Sequence, residues 1–168
     1  MRTPIKFPPS ANPRVPDPQL PFFHTVQLQT RFNDIDMQGH LNNNVYLTFM
    51  DLGKTRYFSD VMKGKIDWHN IGIVVVHLTC DYYAPAYLDE PLAVATTVAS
   101  VSRHSFKLEQ RIFNFVTGQV KCVGSTIMAG FDPRSGHSTE IADQWVDAFS
   151  AYEGRDLHSQ RQNNNPNQ

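Results

Sequence analysis

From Arg31 to Arg56 the chain reads RFNDIDMQGHLNNNVYLTFMDLGKTR. Two carboxylates two positions apart, a glycine and three successive asparagines stand directly before an apolar segment of helical period. Asparagine is a good N-cap because its side-chain oxygen accepts from an otherwise unpartnered amide of the first turn, so Asn42, Asn43 and Asn44 predict a helix start. Through Val45–Met62, the residues Tyr46, Met50, Gly53, Tyr57 and Val61 fall on one stripe, which Val45, Phe49 and Leu52 broaden. A mid-helix glycine costs about 1 kcal/mol relative to alanine. Gly53 is therefore expected where this helix closely approaches a sheet.

Upstream, His24–Phe32 alternates Val26, Leu28, Thr30 and Phe32 against Thr25, Gln27, Gln29 and Arg31, the period of a half-buried strand. Downstream, four strand-like runs follow without a second long helix between them: Ile71–Tyr83, Pro91–Ser102, Ser105–Phe115 and Gln119–Phe131. Their separators are turn formers, among them Ala84-Pro85, Ser102-Arg103-His104 and Thr117-Gly118. After Asp132-Pro133-Arg134-Ser135-Gly136, the stretch Glu140–Tyr152 reads as a short helix with Ile141, Trp145, Ala148 and Phe149 on one side. A strand, an apolar helix and a β-meander make an α+β domain over residues 23–153, in which a sheet of five strands wraps the central helix. The prolines of residues 1–22 predict an extended arm, wrapped on the surface or disordered. Residues 154–168 read as a polar, frayed tail.

Composition narrows the function. The 168 residues are 40% hydrophobic with a formal net charge of -1, which gives no reason to expect nucleic acid. The longest aliphatic run, Ile73–Val76, falls far short of the ~20 residues of a membrane helix. No apolar targeting segment is evident at the N-terminus, and a cytoplasmic protein is expected. Cys80 and Cys122 lack metal-ligand spacing and are expected as buried free thiols in a reducing compartment.

Asp34 and Asp36 pose the chemical question. Both can end the strand as Asx turns, or one can serve as nucleophile or general base. Asp34, Asp36, Gly39 and Asn42 match four positions of a calcium loop, but Gln38 and Val45 stand where further ligands are needed. His40 has no second histidine at zinc-ligand spacing, so neither metal nor cofactor is expected. A helix starting near Asn43 points free N–H groups and the positive end of its dipole at whatever lies beside Asp36.

With GIVVVHLTCDYYAPAYLDEPLAV downstream and the late GFDPRSG segment, the block RFNDIDMQGHLNNNVYLTFMDLGKTRYF resembles the hotdog-fold thioesterases of the 4-hydroxybenzoyl-CoA thioesterase and YbgC-like group. The resemblance spans about residues 24–150. It implies a hotdog fold, an antiparallel five-stranded sheet around a central helix, and hydrolysis of an acyl-CoA or acyl-carrier thioester. Asp36 aligns with the family's catalytic aspartate, as nucleophile or as base for water; Gly39 supplies the turn, and the backbone N–H near Asn43 the carbonyl-polarising group. Asp51 and Lys54 stand where the family often has Glu-x-x-Arg, so Asp51 reads as a second acid or as a solvated or interface carboxylate. His40 can position water or the acyl group, or only brace its turn.

Tyr46 suits an acyl pocket or the core, and His77 the same pocket or a strand edge. Arg103, His104 and Lys107 suit the phosphates of coenzyme A or a solvated hairpin tip. The family's site forms between subunits, which implies a homodimer or homotetramer. A hydroxyacyl-thioester dehydratase using His40, or a non-catalytic acyl-binding or assembly protein of the same fold, are the competing functions.

Overall fold

The computed structural model describes residues 2–163. Its elements run β1 (His24–Gln27), α1 (Asn43–Val61), β2 (Ile73–Tyr82), β3 (Leu92–Val101), β4 (Ser105–Asn114), β5 (Val120–Asp132), β6 (His137–Thr139), α2 (Asp143–Glu153) and α3 (His158–Asn163). The sheet has the order β1-β3-β4-β5-β2, with β6 alongside β5. This is the α+β architecture expected, an antiparallel sheet curled about α1.

The described residues fall into two compact units, one formed by residues 2–57, 80–97 and 110–124 and the other by residues 58–79, 98–109 and 125–163. In the first, one core gathers Leu41, Tyr46, Phe49 and Met50 against Leu92, Val94, Ile112 and Cys122. The predicted stripe of α1 is the buried one; of the residues that broaden it, Leu52 stays exposed. At Gly53 a Cβ would lie 2.7 Å from Val94 Cγ1 and 3.1 Å from Gln110 Nε2. Gln110 itself donates to Met50 O at 2.8 Å, so helix and strand meet at backbone distance.

This approach makes Gly53→Ala a direct test. Val94 is fully buried and stiff at χ1, so overpacking by about 1–3 kcal/mol outweighs a helix-propensity gain of about 1 kcal/mol. A net loss is expected in denaturant unfolding. An alanine variant of equal or greater stability would contradict the close approach.

A second cluster of the same unit is built by the arm. Phe7 packs edge-on against Phe22 and Phe113 at 5.5 and 5.1 Å, beside Ala93 and Ala95 of β3. The Arg111 guanidinium lies 5.5 Å from the centre of the Phe7 ring and 5.8 Å from that of Phe22. Ile5 N–H donates to Phe22 O at 2.8 Å, and a Cβ on Gly118 would fall 2.3 Å from Pro8 Cγ. Of the two states open to a proline-rich arm, residues 5–22 take the docked one.

In the other unit Phe58, Phe106, Trp145 and Phe149 form an aromatic cluster, with Phe106 and Phe149 centroids 4.9 Å apart. Gly154, at φ +67°, ends α2. Beyond it, where the sequence reads as a frayed tail, Leu157 is fully buried, Arg155 bonds Val98 O, and Arg161 of α3 pairs with Glu140 and Asp143. The tail from 164 lies outside the described residues.

β1 also stops earlier than its alternation suggests. Leu28 N–H still donates to Leu92 O at 2.8 Å, but Thr30 turns its hydroxyl to Leu88 O and Phe32–Asp34 curls into one 3-10 turn. Local side-chain bonds here prevail over strand pairing.

Candidate active site

The segment between β1 and α1 is organised by its aspartates. Asp34 Oδ2 accepts Arg31 N–H at 2.8 Å and its carbonyl accepts Asn42 N–H at 2.8 Å, which makes Asp34 a structural brace. Ile35 and Leu41 then pair in an isolated antiparallel bridge and pinch off the loop Asp36–His40. Within it Asp36 N–H donates to His40 O at 2.8 Å and Gly39 N–H to Asp36 O at 3.0 Å. Gly39 takes φ +78°, a left-handed conformation that favours glycine.

Asp36 is half-buried, and its two carboxylate oxygens differ. Oδ1 accepts the N–H groups of Gln38 at 2.8 Å and His40 at 3.2 Å, which fixes the side chain to its own loop. Oδ2 makes no hydrogen bond to any described residue. A carboxylate anchored through one oxygen and open at the other is positioned without being consumed.

The helix start follows within seven residues of Asp36. Asn42 Oδ1 accepts Asn44 N–H at 3.0 Å and Asn42 O accepts Val45 N–H at 2.9 Å, so Asn42 is the cap. Asn43 N–H has no acceptor among the described residues. Its carbonyl is held by Tyr82, whose hydroxyl donates to Asn43 O at 3.2 Å. Tyr46 is buried edge-on to Tyr82 at 5.1 Å, and its phenol bonds the Ala86 backbone; burial, and then the nearby Cys122, push its pKa up to about 12. The His40 ring stands edge-on to Tyr87 at 5.3 Å, while Leu41 N–H donates to Ala86 O at 2.8 Å.

Asp36, Gly39, His40 and Asn43 thus come together at one loop–helix junction. Tyr46 joins the core beneath it. Asp51 is exposed and ion-pairs with Lys54 at 2.5 Å, one turn along α1. The other unit holds the remaining expected residues: His77 is exposed on β2, Lys107 is exposed on β4, and Arg103 is engaged by Glu140 at 2.6 Å. His104 turns Nδ1 to Thr139 O at 3.2 Å. Among the described residues no three His, Cys, Asp or Glu side chains cluster as metal ligands, and no helix is long and apolar enough to cross a membrane.

Sequence reasoning passes over the support of the loop Tyr83–Glu90. Lys121, on β5, buries its ammonium against Pro85 O, Glu90 and Gln119 Oε1, with a shortest carboxylate contact of 2.6 Å. Tyr87 also goes unremarked as a site residue, and Tyr82 reads from the sequence only as an aromatic for the acyl group or the core. Their contacts cross long stretches of chain, and no local pattern signals them.

Comparison with known proteins places this junction in context. The family model for the thioesterase-like superfamily matches residues 30–149. The long-chain acyl-CoA thioesterase FadM of Escherichia coli (strain K12) is 30% identical over 98 residues, which are 56% of this chain and 73% of that one. A Thermus thermophilus thioesterase, solved in complex with coenzyme A and Zn, aligns with TM-score 0.72 and 27% identity over 80% of this chain and 96% of its own. The 4-hydroxybenzoyl CoA thioesterase of a Pseudomonas species shares the fold at TM-score 0.65 and 19% identity, over 74% of this chain and 96% of its own.

Proposed function

The chain belongs to the thioesterase-like superfamily, and from that membership we propose that it hydrolyses acyl-CoA thioesters at the Asp36–Asn43 junction. The observation that carries the assignment of roles is the pair of unengaged groups there, Asp36 Oδ2 and Asn43 N–H. A thioester carbonyl that accepts from Asn43 N–H gains positive field as its oxygen becomes an oxyanion. Asp36 then either attacks the carbonyl carbon, forming an acyl-carboxylate that water opens, or takes a proton from an attacking water. In both routes the C–S bond breaks, the thiolate leaves, and it ends as the thiol by taking up the proton that the attacking water gives up. Gly39 shapes the loop, and His40 braces it through its backbone.

The decisive measurement is thiol release from acyl-CoAs of graded chain length and from aromatic acyl-CoAs. Turnover of at least one is expected. Failure with all of them, together with turnover of an acyl-carrier thioester, would move the substrate class to carrier-bound acids. Failure with both would overturn the hydrolase reading, and enoyl product from a hydroxyacyl thioester would favour the dehydratase.

Assembly as a homodimer belongs to the same proposal. Phe32 and Met37 flank Asp36 with exposures of 82% and 105%, apolar surface that an acyl chain or a second copy would cover. β2 ends the sheet order, and its Val75 and Val76 are 45% and 58% exposed, so its free edge offers a template for a second β2. Sedimentation at micromolar concentration is expected to give a dimer or a tetramer, and Val75→Pro, which removes a backbone donor from that edge, to shift it toward monomer. A monomeric wild type would refute this arrangement.

A further inference from the structure

Two groups that the hydrolytic reading does not use lie in contact within the first unit. Cys80 on β2 and Cys122 on β5 are free thiols with Sγ atoms 3.1 Å apart. Cys80 is half-buried and Cys122 fully buried. A disulfide needs about 2.05 Å between sulfurs. Closure therefore asks for about 1 Å of movement.

We propose that Cys80 and Cys122 form a hydroperoxide-reactive dithiol that closes reversibly to a disulfide between β2 and β5, with Cys80 as the attacking and Cys122 as the resolving sulfur. The exposures divide the roles, since a small oxidant reaches the half-buried sulfur first. The hydrogen bonds divide them again. Either sulfur can donate in the bond the two share; with Cys122 as donor, that bond lowers the Cys80 pKa, and together with burial it raises that of Cys122. This arrangement favours the thiolate at Cys80 over that at Cys122.

The chemistry balances with a hydroperoxide as the oxidant. The Cys80 thiolate attacks one peroxide oxygen, the O–O bond breaks, and Cys80 becomes a sulfenic acid as hydroxide leaves. Cys122 sulfur then displaces the sulfenic hydroxyl, which departs as water with the Cys122 proton. The hydroxide takes up the proton that Cys80 lost, so two thiols and one hydrogen peroxide give one disulfide and two waters. The two electrons come from the sulfur pair. Thiol reductant reverses the step.

The proposal is independent of thioester hydrolysis, and its test reads covalent chemistry alone. The full chain is exposed to hydrogen peroxide, alkylated, and mapped without reduction, because fully exposed Met37 also takes up oxygen and would confuse an intact mass. A linked Cys80–Cys122 peptide pair is expected in most molecules, abolished by dithiothreitol. In Cys122→Ala, Cys80 should be trapped as the sulfenic acid by dimedone, and faster than Cys122 in Cys80→Ala, because it stays the more exposed sulfur when their shared bond is gone. If an alanine variant does not fold, the serine variant replaces it, and the wild-type map decides in either case. No linked pair from folded wild type, or equal trapping of the two cysteines, would overturn the proposal.

Discussion

Replacing Asp36 by asparagine is expected to lower thioester turnover by about 10²–10⁴-fold, the range a positioned acid–base group contributes, with little change in melting temperature. The second half of that expectation comes from the loop. Asparagine keeps an Oδ1 that can accept the Gln38 and His40 N–H groups now bonded at 2.8 and 3.2 Å. What it loses is the negative oxygen left free of the chain, needed for attack or for taking a proton. Asp36→Ala removes the acceptor as well, leaving two loop amides unpaired, and is expected to cost about 1–2 kcal/mol in stability besides the activity. Comparing the two variants separates chemistry from scaffolding. Undiminished turnover by the asparagine variant would remove Asp36 from its role, and an equal fall in stability for both would show that the loop depends on charge.

What the sequence discloses follows from how local each cause is. The buried face of α1 was legible because Tyr46, Met50, Gly53, Tyr57 and Val61 repeat at the helical period, and the ends of β2–β5 because Gly, Pro and Ser turns bound each run. The Asp36 loop was legible for the same reason, since Asx turns and N-caps are bonds between near neighbours. The docking of Phe7 and the burial of Leu157 were not, because each depends on residues that only folding brings near. Tyr46 shows the ambiguity at a single position: an aromatic at a helix start reads equally as pocket wall or core, and only its burial against Tyr82 assigns it to the core. The supports of the junction also join distant parts of the chain, 39 positions apart for Tyr82 and Asn43 and 31 for Lys121 and Glu90.

That last pair predicts the largest change in stability. Lys121 is 3% exposed in its side chain and Glu90 19%. In Lys121→Met the carboxylate keeps one weak partner, Asn114 Nδ2 at 3.5 Å, and Pro85 O and Gln119 Oε1 lose their donor. Removing one member of a buried pair costs about 3–5 kcal/mol; the partial exposure of Glu90 places the loss near the lower end, about 3 kcal/mol. For a chain of this size that lowers the melting temperature by about 6–12 °C. The same loop carries Ala86, whose carbonyl holds Leu41, and Tyr87, which packs on His40, so turnover should fall in folded Lys121→Met although no atom of Lys121 touches the proposed substrate site. The double variant Lys121→Met, Glu90→Leu discriminates. A buried ion pair exchanged for apolar groups is often nearly neutral, so if the uncompensated carboxylate is the cause, the second substitution restores much of the stability that the first removes. Strictly additive losses across that cycle would show that Lys121 acts instead through Pro85 O and Gln119, and that Glu90 is incidental to the loop.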